Sequence, residues 1–312
     1  MTSSPLLIVG SIAFDDLDMP SGQYRDVLGG AATYAALAAS LLAREHVRVV
    51  GVVGADFPEA HLADLRARGV DTSGVERKPG RTFRWHGRYS DDLSSRTTID
   101  TQLNVFAEFS PHVPAVPGPS PFVLLGNIHP QLQTDVVSQI GRPKFVAADT
   151  MNWWIEREPA HLAELLRKID LLVVNDEEAR QLSGQHSLVR AAADIRKRGP
   201  KAVIIKRGEF GALLFDDAGT FFAPAYPLEE VLDPTGAGDS FAGGLMGYLA
   251  LAREPSPAVL RRAMFFASAL GSFCVEGIGP SRLLAVVPAD LAARIAAFAK
   301  LVDFGGELSL PL

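Results

Sequence analysis

Apolar residues fall along this chain in short unbroken runs, each closed by small or polar residues and followed by a longer stretch of helical period. Residues 5–12, closing on Gly10-Ser11, form the first run, residues 47–53 the second, and FVLLGN, KFVAADT and DLLVVND supply three more. Runs this short, without alternation, suit strands covered on both faces. Their alternation with helical stretches predicts βαβ units, hence an α/β fold around a parallel sheet with ligands beyond the strands' carboxyl ends. Asp15, Asp16, Asn127, Asp149 and Asn152 are therefore expected on one edge of the sheet, where each side chain can either meet a ligand or cap a strand end.

Other stretches refine this outline. GADFPEAHLADLRARGVDTSGV reads as a loop, an amphipathic helix and a return turn, and KAVIIKRGEFGALLF as a strand, a glycine turn and a second strand. Gly29-Gly30 opens AATYAALAASLLA, a helix of small residues suited to close packing on the sheet. Residues 241–253 and 258–274 form two helical patterns able to pack together. Residues 81–89 change the period to two, with Phe83, Trp85 and Tyr89 on one face and Arg84, His86 and Arg88 on the other; a partner strand is expected over residues 96–101. Residues 111–121, PHVPAVPGPSP, are too rich in proline for regular structure and read as an ordered surface connection.

Composition narrows the function. With 312 residues and 47% hydrophobic content, the chain can bury one α/β core with a small appendage. A net charge of −6 lacks the basic footprint of a nucleic-acid binder or a membrane-surface anchor, so an anionic ligand must be held by local dipoles and a metal ion. The single Cys274 excludes an intrachain disulfide, and its apolar setting predicts a buried, inert thiol. The first residues run into LLIVG without a basic leader or cleavage pattern, and no apolar run reaches membrane-spanning length. Together these predict a cytoplasmic protein.

The chemistry is concentrated in DPTGAGDSFAGG, residues 233–244. A glycine turn feeding a helix aims unpaired N–H groups, here those of Gly236, Ala237 and Gly238, at one point near the positive end of the helix dipole. Asp239 follows at once, an acceptor able to take a hydroxyl proton as that oxygen attacks phosphorus. The same pattern also describes an aspartate that only complements the dipole. In NDEE, Asn175 and Glu178 share a helix face near the carboxyl edge, while in Lys206-Arg207-Gly208 the glycine permits close backbone approach and the lysine can neutralise phosphate.

DPTGAGDSFAGG closely resembles the C-terminal signature of the ribokinase-like, PfkB-type family of carbohydrate and nucleoside kinases, and the resemblance extends over nearly the whole chain. It implies a single domain over residues 1–312, a three-layer αβα sandwich with a mostly parallel central sheet. A small β lid is expected from parts of 14–28 and 81–109. It implies ATP-dependent transfer of the γ-phosphoryl group to a hydroxyl, usually a hydroxymethyl, with Asp239 as base and the Gly236, Ala237 and Gly238 amides as anion hole. Asp15, Gly29 and Gly30 match the family's substrate-binding positions, with Asn127 as a further candidate. Asn175 and Glu178 match an Asn-x-x-Glu element in which the acid organises Mg2+ through water, and Lys206 and Gly208 match the segment along the nucleotide phosphates. Relatives place adenine near a helix pair like 241–253 and 258–274, and in some of them a turn like EGIGPSR, with an aspartate like Asp233, holds a monovalent cation.

Two positions depart from the pattern: Tyr34 stands where many sugar kinases have Asn, and Lys206 where members often have Thr. The expected acceptor is a free sugar or its acid derivative, then a nucleoside, then a sugar phosphate; the lid aromatics favour a base and its arginines an anion. A non-catalytic ligand-binding member of the fold is the other class, and the lid suits either a monomer's flap or a homodimer interface. A Rossmann dehydrogenase is disfavoured because no GxGxxG follows the first strand.

Overall fold

The first strand, β1 (Leu6–Val9), is apolar at every position because both of its faces are covered: Leu6 and Ile8 join the hydrophobic cluster on one side, Leu7 and Val9 that on the other. The computed structural model describes residues 3–114 and 121–303, so residues 115–120 of the expected proline-rich connection lie outside the described residues. After β1 come β2 (Ala13–Met19), β3 (Gly22–Gly29), β4 (Val47–Gly54), β5 (Val70–Lys78), β6 (Phe83–Tyr89) and β7 (Arg96–Gln102). There follow β8 (Phe122–Leu125), β9 (Phe145–Asp149), β10 (Leu171–Asn175), β11 (Ala202–Lys206), β12 (Ala212–Asp216) and β13 (Gly219–Ala223).

Nine strands form one sheet in the order β13-β12-β11-β10-β9-β8-β1-β4-β5. From β11 through β5 every neighbouring pair is parallel, and β12 and β13 extend the other edge antiparallel. The sheet grows outward from β1 in both directions, so the carboxyl ends of β1 and β8 flank a reversal of strand order, where open α/β sheets form their cleft. Helices Ala31–Ser40, Ala237–Ala252, Pro257–Cys274 and Pro288–Leu301 cover one face; Pro130–Ile140, Pro159–Leu166, Asp176–Ser183 and Leu188–Lys197 cover the other. This is a three-layer α/β architecture.

Two strands were not expected. β5 was read as a return turn and β13 was not foreseen, and each is an edge strand with one unpaired side. Edge strands need no continuous apolar run, and Asp71, Ser73 and Gly74 in β5 mask its period. The small-residue helix that opens after Gly29-Gly30 is buried along its whole length. It is crossed so closely by Ala237–Ala252 that a Cβ on Gly243 would lie 2.1 Å from the Ala35 carbonyl oxygen. That approach brings the two helix N-termini to the same edge of the sheet.

The remaining strands form a separate sheet, β3-β2-β6-β7, from the segments expected to build a lid. Leu17, Met19 and Tyr89 are its buried core, with Trp85 and Val27 packed against them and Ile278 contributed by the main body.

Candidate active site

At the start of Ala237–Ala252 the backbone turns through Gly236 at φ 77°, a left-handed conformation suited to glycine. Space imposes the same choice, because a Cβ on Gly236 would lie 2.3 Å from the Tyr34 ring. Asp239 sits in the first helical turn, and burial, then Asp149, push its carboxyl up to about 7, against the opposing pull of Lys206 and Arg96. A carboxylate held there is a base poised near neutral pH.

The neighbouring strands supply more charge. Glu178 is buried, and its Oε2 accepts the Asn175 N–H at 2.8 Å while Asn175 Oδ1 accepts the Glu178 N–H at 2.8 Å, a complete capping box. The Asn175 side-chain oxygen thus serves the helix start. Burial and then Asp149 raise the Glu178 carboxyl to about 7, with Lys206 opposing. Asp149, at the end of β9, lies 3.6 Å from Lys206 Nζ, and Gly208 turns at φ 54° just beyond. One ammonium thus faces three carboxylates, Asp149, Glu178 and Asp239. Such a surplus of hard oxygen donors suits a divalent cation such as Mg2+, which would offset the burial, and then the Asp149 charge, that raise Glu178 and Asp239.

On the other side of the cleft, Asp15 is buried, and a Cβ on Gly29 would lie only 2.1 Å from its Oδ2. Gly30 takes φ 94° as N-cap of the next helix, whose first amides donate to Ser11 Oγ at 3.1 Å and the Ser11 carbonyl at 3.0 Å. Burial first, then Asp233, Asp239 and Asp16, raise Asp15 to about 8. Its oxygens have no hydrogen-bond partner among the described residues. The Tyr34 hydroxyl is likewise buried and unpartnered. Cys274 is buried, and burial pushes its thiol up to about 12.

Asn127 stands apart. Its Oδ1 accepts from Trp154 Nε1 at 2.8 Å and its amide nitrogen lies 3.1 Å from Met151 Sδ, so the side chain is engaged by the segment that follows β9. His129 caps the helix Pro130–Ile140 through Nδ1, which accepts the Gln131 N–H, the turn role its sequence suggests.

The lid resolves the ambiguity of its basic face. Arg84 pairs with Asp16 and Asp26, and Arg25, His86 and Arg88 all pair with Asp18. Those cations are spent on lid carboxylates. On the opposite face, Tyr89 reaches the signature loop, its hydroxyl 2.7 Å from Thr235 Oγ1. Arg96 pairs directly across from Tyr89, so both side chains share that face, and Arg96 lowers the proton affinity of Asp239 and Glu178. Sequence reading named Arg96 only as a strand start; its antiparallel register with Tyr89 is the feature that reveals it.

The family model described as pfkB family carbohydrate kinase matches residues 7–285. The cytidine kinase of Thermococcus kodakarensis is 31% identical over 255 residues, covering 78% of this chain and 88% of that protein. The inositol 3-kinase of Oryza sativa is 27% identical over 301 residues, 90% of this chain and 72% of that one. Among solved structures, the nucleoside kinase of Burkholderia thailandensis in complex with inosine aligns at a TM-score of 0.78 and 24% identity, over 94% of this chain and 98% of that chain.

Proposed function

Since the chain belongs to the pfkB family of carbohydrate kinases, phosphotransferases acting on sugar or nucleoside hydroxyls, we propose that its acceptor is a neutral polyhydroxyl compound, a nucleoside or free sugar, and not a sugar acid or sugar phosphate. One observation carries this reading: every charged group acting on buried Asp15 is another carboxylate, the cations of the lid's basic face are tied to lid acids, and Arg96, on the opposite face, acts on Asp239 and Glu178 and not on Asp15. An acceptor anion placed there would find no countercharge, and would push the neighbouring acids still further toward their protonated form. Vicinal hydroxyls would instead satisfy Asp15, since one carboxylate accepts from two donors. The cytidine, nucleoside and inositol kinases named above act on uncharged compounds of this kind, in keeping with that chemistry.

In this mechanism Asp239 takes the proton of the acceptor hydroxyl as its oxygen bonds to the γ-phosphorus of ATP and ADP leaves. The amides of Gly236, Ala237 and Gly238, at the positive end of Ala237–Ala252, receive the phosphoryl oxygens. Mg2+, when bound, supplies charge to the triphosphate, and Glu178 fits it because its raised carboxyl lacks a full countercharge. Asp233 fits a monovalent cation less completely: it is wholly buried, burial raises its carboxyl, and its oxygens each accept one amide, from Thr235 and Gly279. Tyr89 on Thr235 ties the lid to the signature and helps to exclude water.

The test is ADP release from ATP and Mg2+ over a panel of nucleosides, inositol, ribose, fructose, sugar acids and fructose phosphates, with Asp239→Asn as control. Turnover of a neutral acceptor, silent in the variant, is expected. A preference for a sugar acid or sugar phosphate overturns the neutral-acceptor reading, and full turnover by the variant overturns the base.

A further inference from the structure

Lys206 is the last residue of β11 and pairs in register with Asn175 at the end of β10, so its side chain enters the cleft beside the capping box of Glu178. Its side chain is 17% exposed, and its Nζ lies 3.6 Å from Asp149 Oδ2 and 2.9 Å from where a Cβ on Gly238 would stand. The ammonium therefore lies directly against the amide turn, in space that a side chain at residue 238 would share.

The ammonium is balanced by charge but not by hydrogen bonds. None of its three N–H donors has an acceptor within hydrogen-bond distance among the described residues, whereas Lys78 and Lys144 each donate to a carbonyl oxygen and Lys201 to Asp170. Open donors on an ammonium at the cleft mouth are completed by an oxygen reaching them from the cleft, of water or of a ligand. Three neighbouring carboxylates keep it charged in spite of its burial. Asp149 is held firmly: its Oδ1 accepts the Thr150 N–H at 2.8 Å, and its carbonyl oxygen accepts from buried Gln133 at 2.9 Å. Only Oδ2 is left to face the ammonium.

We infer that Lys206 donates to an oxygen of the transferring γ-phosphoryl group at the mouth of the Gly236–Gly238 turn, and that Asp149 is the positioning residue that aims it. The inference rests on the kinase reading of this site. A lysine suits the task as a compact charge with three rotatable donors, more than the single hydroxyl of the threonine often found at this position. The dyad adds a fixed charge to the amide donors, where charge accumulates as the phosphoryl group moves.

The experiment compares Lys206→Met, Asp149→Asn and the double variant with the parent chain, each checked for an intact thermal transition. With an acceptor the parent turns over, Lys206→Met is expected to lower kcat about 10²-fold to 10³-fold, the range for removing one donor to a developing anion, with acceptor KM little changed. Asp149→Asn should cost less, and the double variant should match Lys206→Met alone, because a positioning residue has nothing left to aim. By calorimetry in Mg2+, Lys206→Met should weaken a non-hydrolysable ATP analogue with little change for ADP. Unchanged kcat, multiplying losses in the double variant, or equal loss for the analogue and ADP would each overturn the inference. If Lys206→Met does not fold, Lys206→Gln is read in the same way. The nucleotide comparison needs no acceptor, so a chain that turns over none of the panel defeats the acceptor reading while this contact is still decided.

Discussion

Two parts of this molecule are dense in charge and treat it in opposite ways. On the lid, Asp18 meets Arg25, His86 and Arg88, and Arg84 bridges Asp16 and Asp26, with the Arg25 hydrogen bond foremost in holding Asp18 below the usual carboxylate range. At the carboxyl edge of the large sheet, Asp15, Glu178 and Asp239 are all pushed up, first by burial and then by one another or by Asp149 and Asp233. The lid closes its charges into pairs near water, where such pairs hold a shape at little net gain. The sheet edge leaves carboxylates in excess where water is scarce, an arrangement that costs stability until a cation, a hydroxyl or a proton arrives.

The widest separation between the two regions should come from removing one negative charge from each. Asp239→Asn is expected to lower kcat by about 10²-fold to 10⁴-fold, the contribution typical of a positioned base, whereas Asp18→Asn should leave kcat within about twofold, since its partners Arg25, His86 and Arg88 all belong to the lid's own ion pairs. Steady-state ADP release reads both. A comparable loss in the lid variant would mean that the lid charges act on the reaction.

Gly29→Ala sharpens the same contrast from the acceptor side. The new Cβ would lie 2.1 Å from Asp15 Oδ2 and displace the carboxyl. Acceptor KM should rise by about tenfold, equivalent to about 1.4 kcal/mol, with ADP affinity unchanged by calorimetry.

The sheet-edge carboxyls also predict how the ligand-free protein responds to pH. Asp15, raised from 3.8 to about 8, and Asp239, raised from 3.8 to about 7, hold protons that the unfolded chain releases. The folded state binds more protons across that window, so stability falls as pH rises from about 4 to about 8. Thermal midpoints of the ligand-free chain should decline over this range, and Asp15→Asn should flatten the decline. A midpoint that rises toward pH 8 in the parent and is unaltered in slope by Asp15→Asn would contradict these shifts.

Smaller effects are expected within the lid. Tyr89→Phe removes the hydroxyl contact with Thr235 and should cost about 1 kcal/mol, seen as a lower thermal midpoint and a few-fold lower kcat. Arg84→Gln, losing partly exposed ion pairs, should change stability by less than about 1 kcal/mol and leave a neutral acceptor's KM unaltered. A large KM increase there would place Arg84 on the acceptor.

Much of the fold is written locally. β1, β8, β9 and β10 are legible because strands buried on both faces must be apolar throughout, and the start of Ala237–Ala252 is legible because a glycine turn before a small-residue helix has few other uses. The edge strands β5 and β13 escaped because one unpaired side relaxes that demand. The basic face of β6 was visible in the sequence, but its partners were not, since Asp16 and Asp18 lie 68 and 70 residues from the arginines they meet.

By itself, then, the sequence determined the parallel sheet, the helix whose first turn carries Asp239, and the presence of acids near the strand ends, because periodicity and turn chemistry act between near neighbours. The tertiary structure alone decided which charges are answered: it folds β2 and β3 against β6 to neutralise the lid, and it sets Asp149, Glu178 and Asp239 around one lysine. Whether a charge is paired depends on distance through space and on burial, and both arise only when remote segments meet.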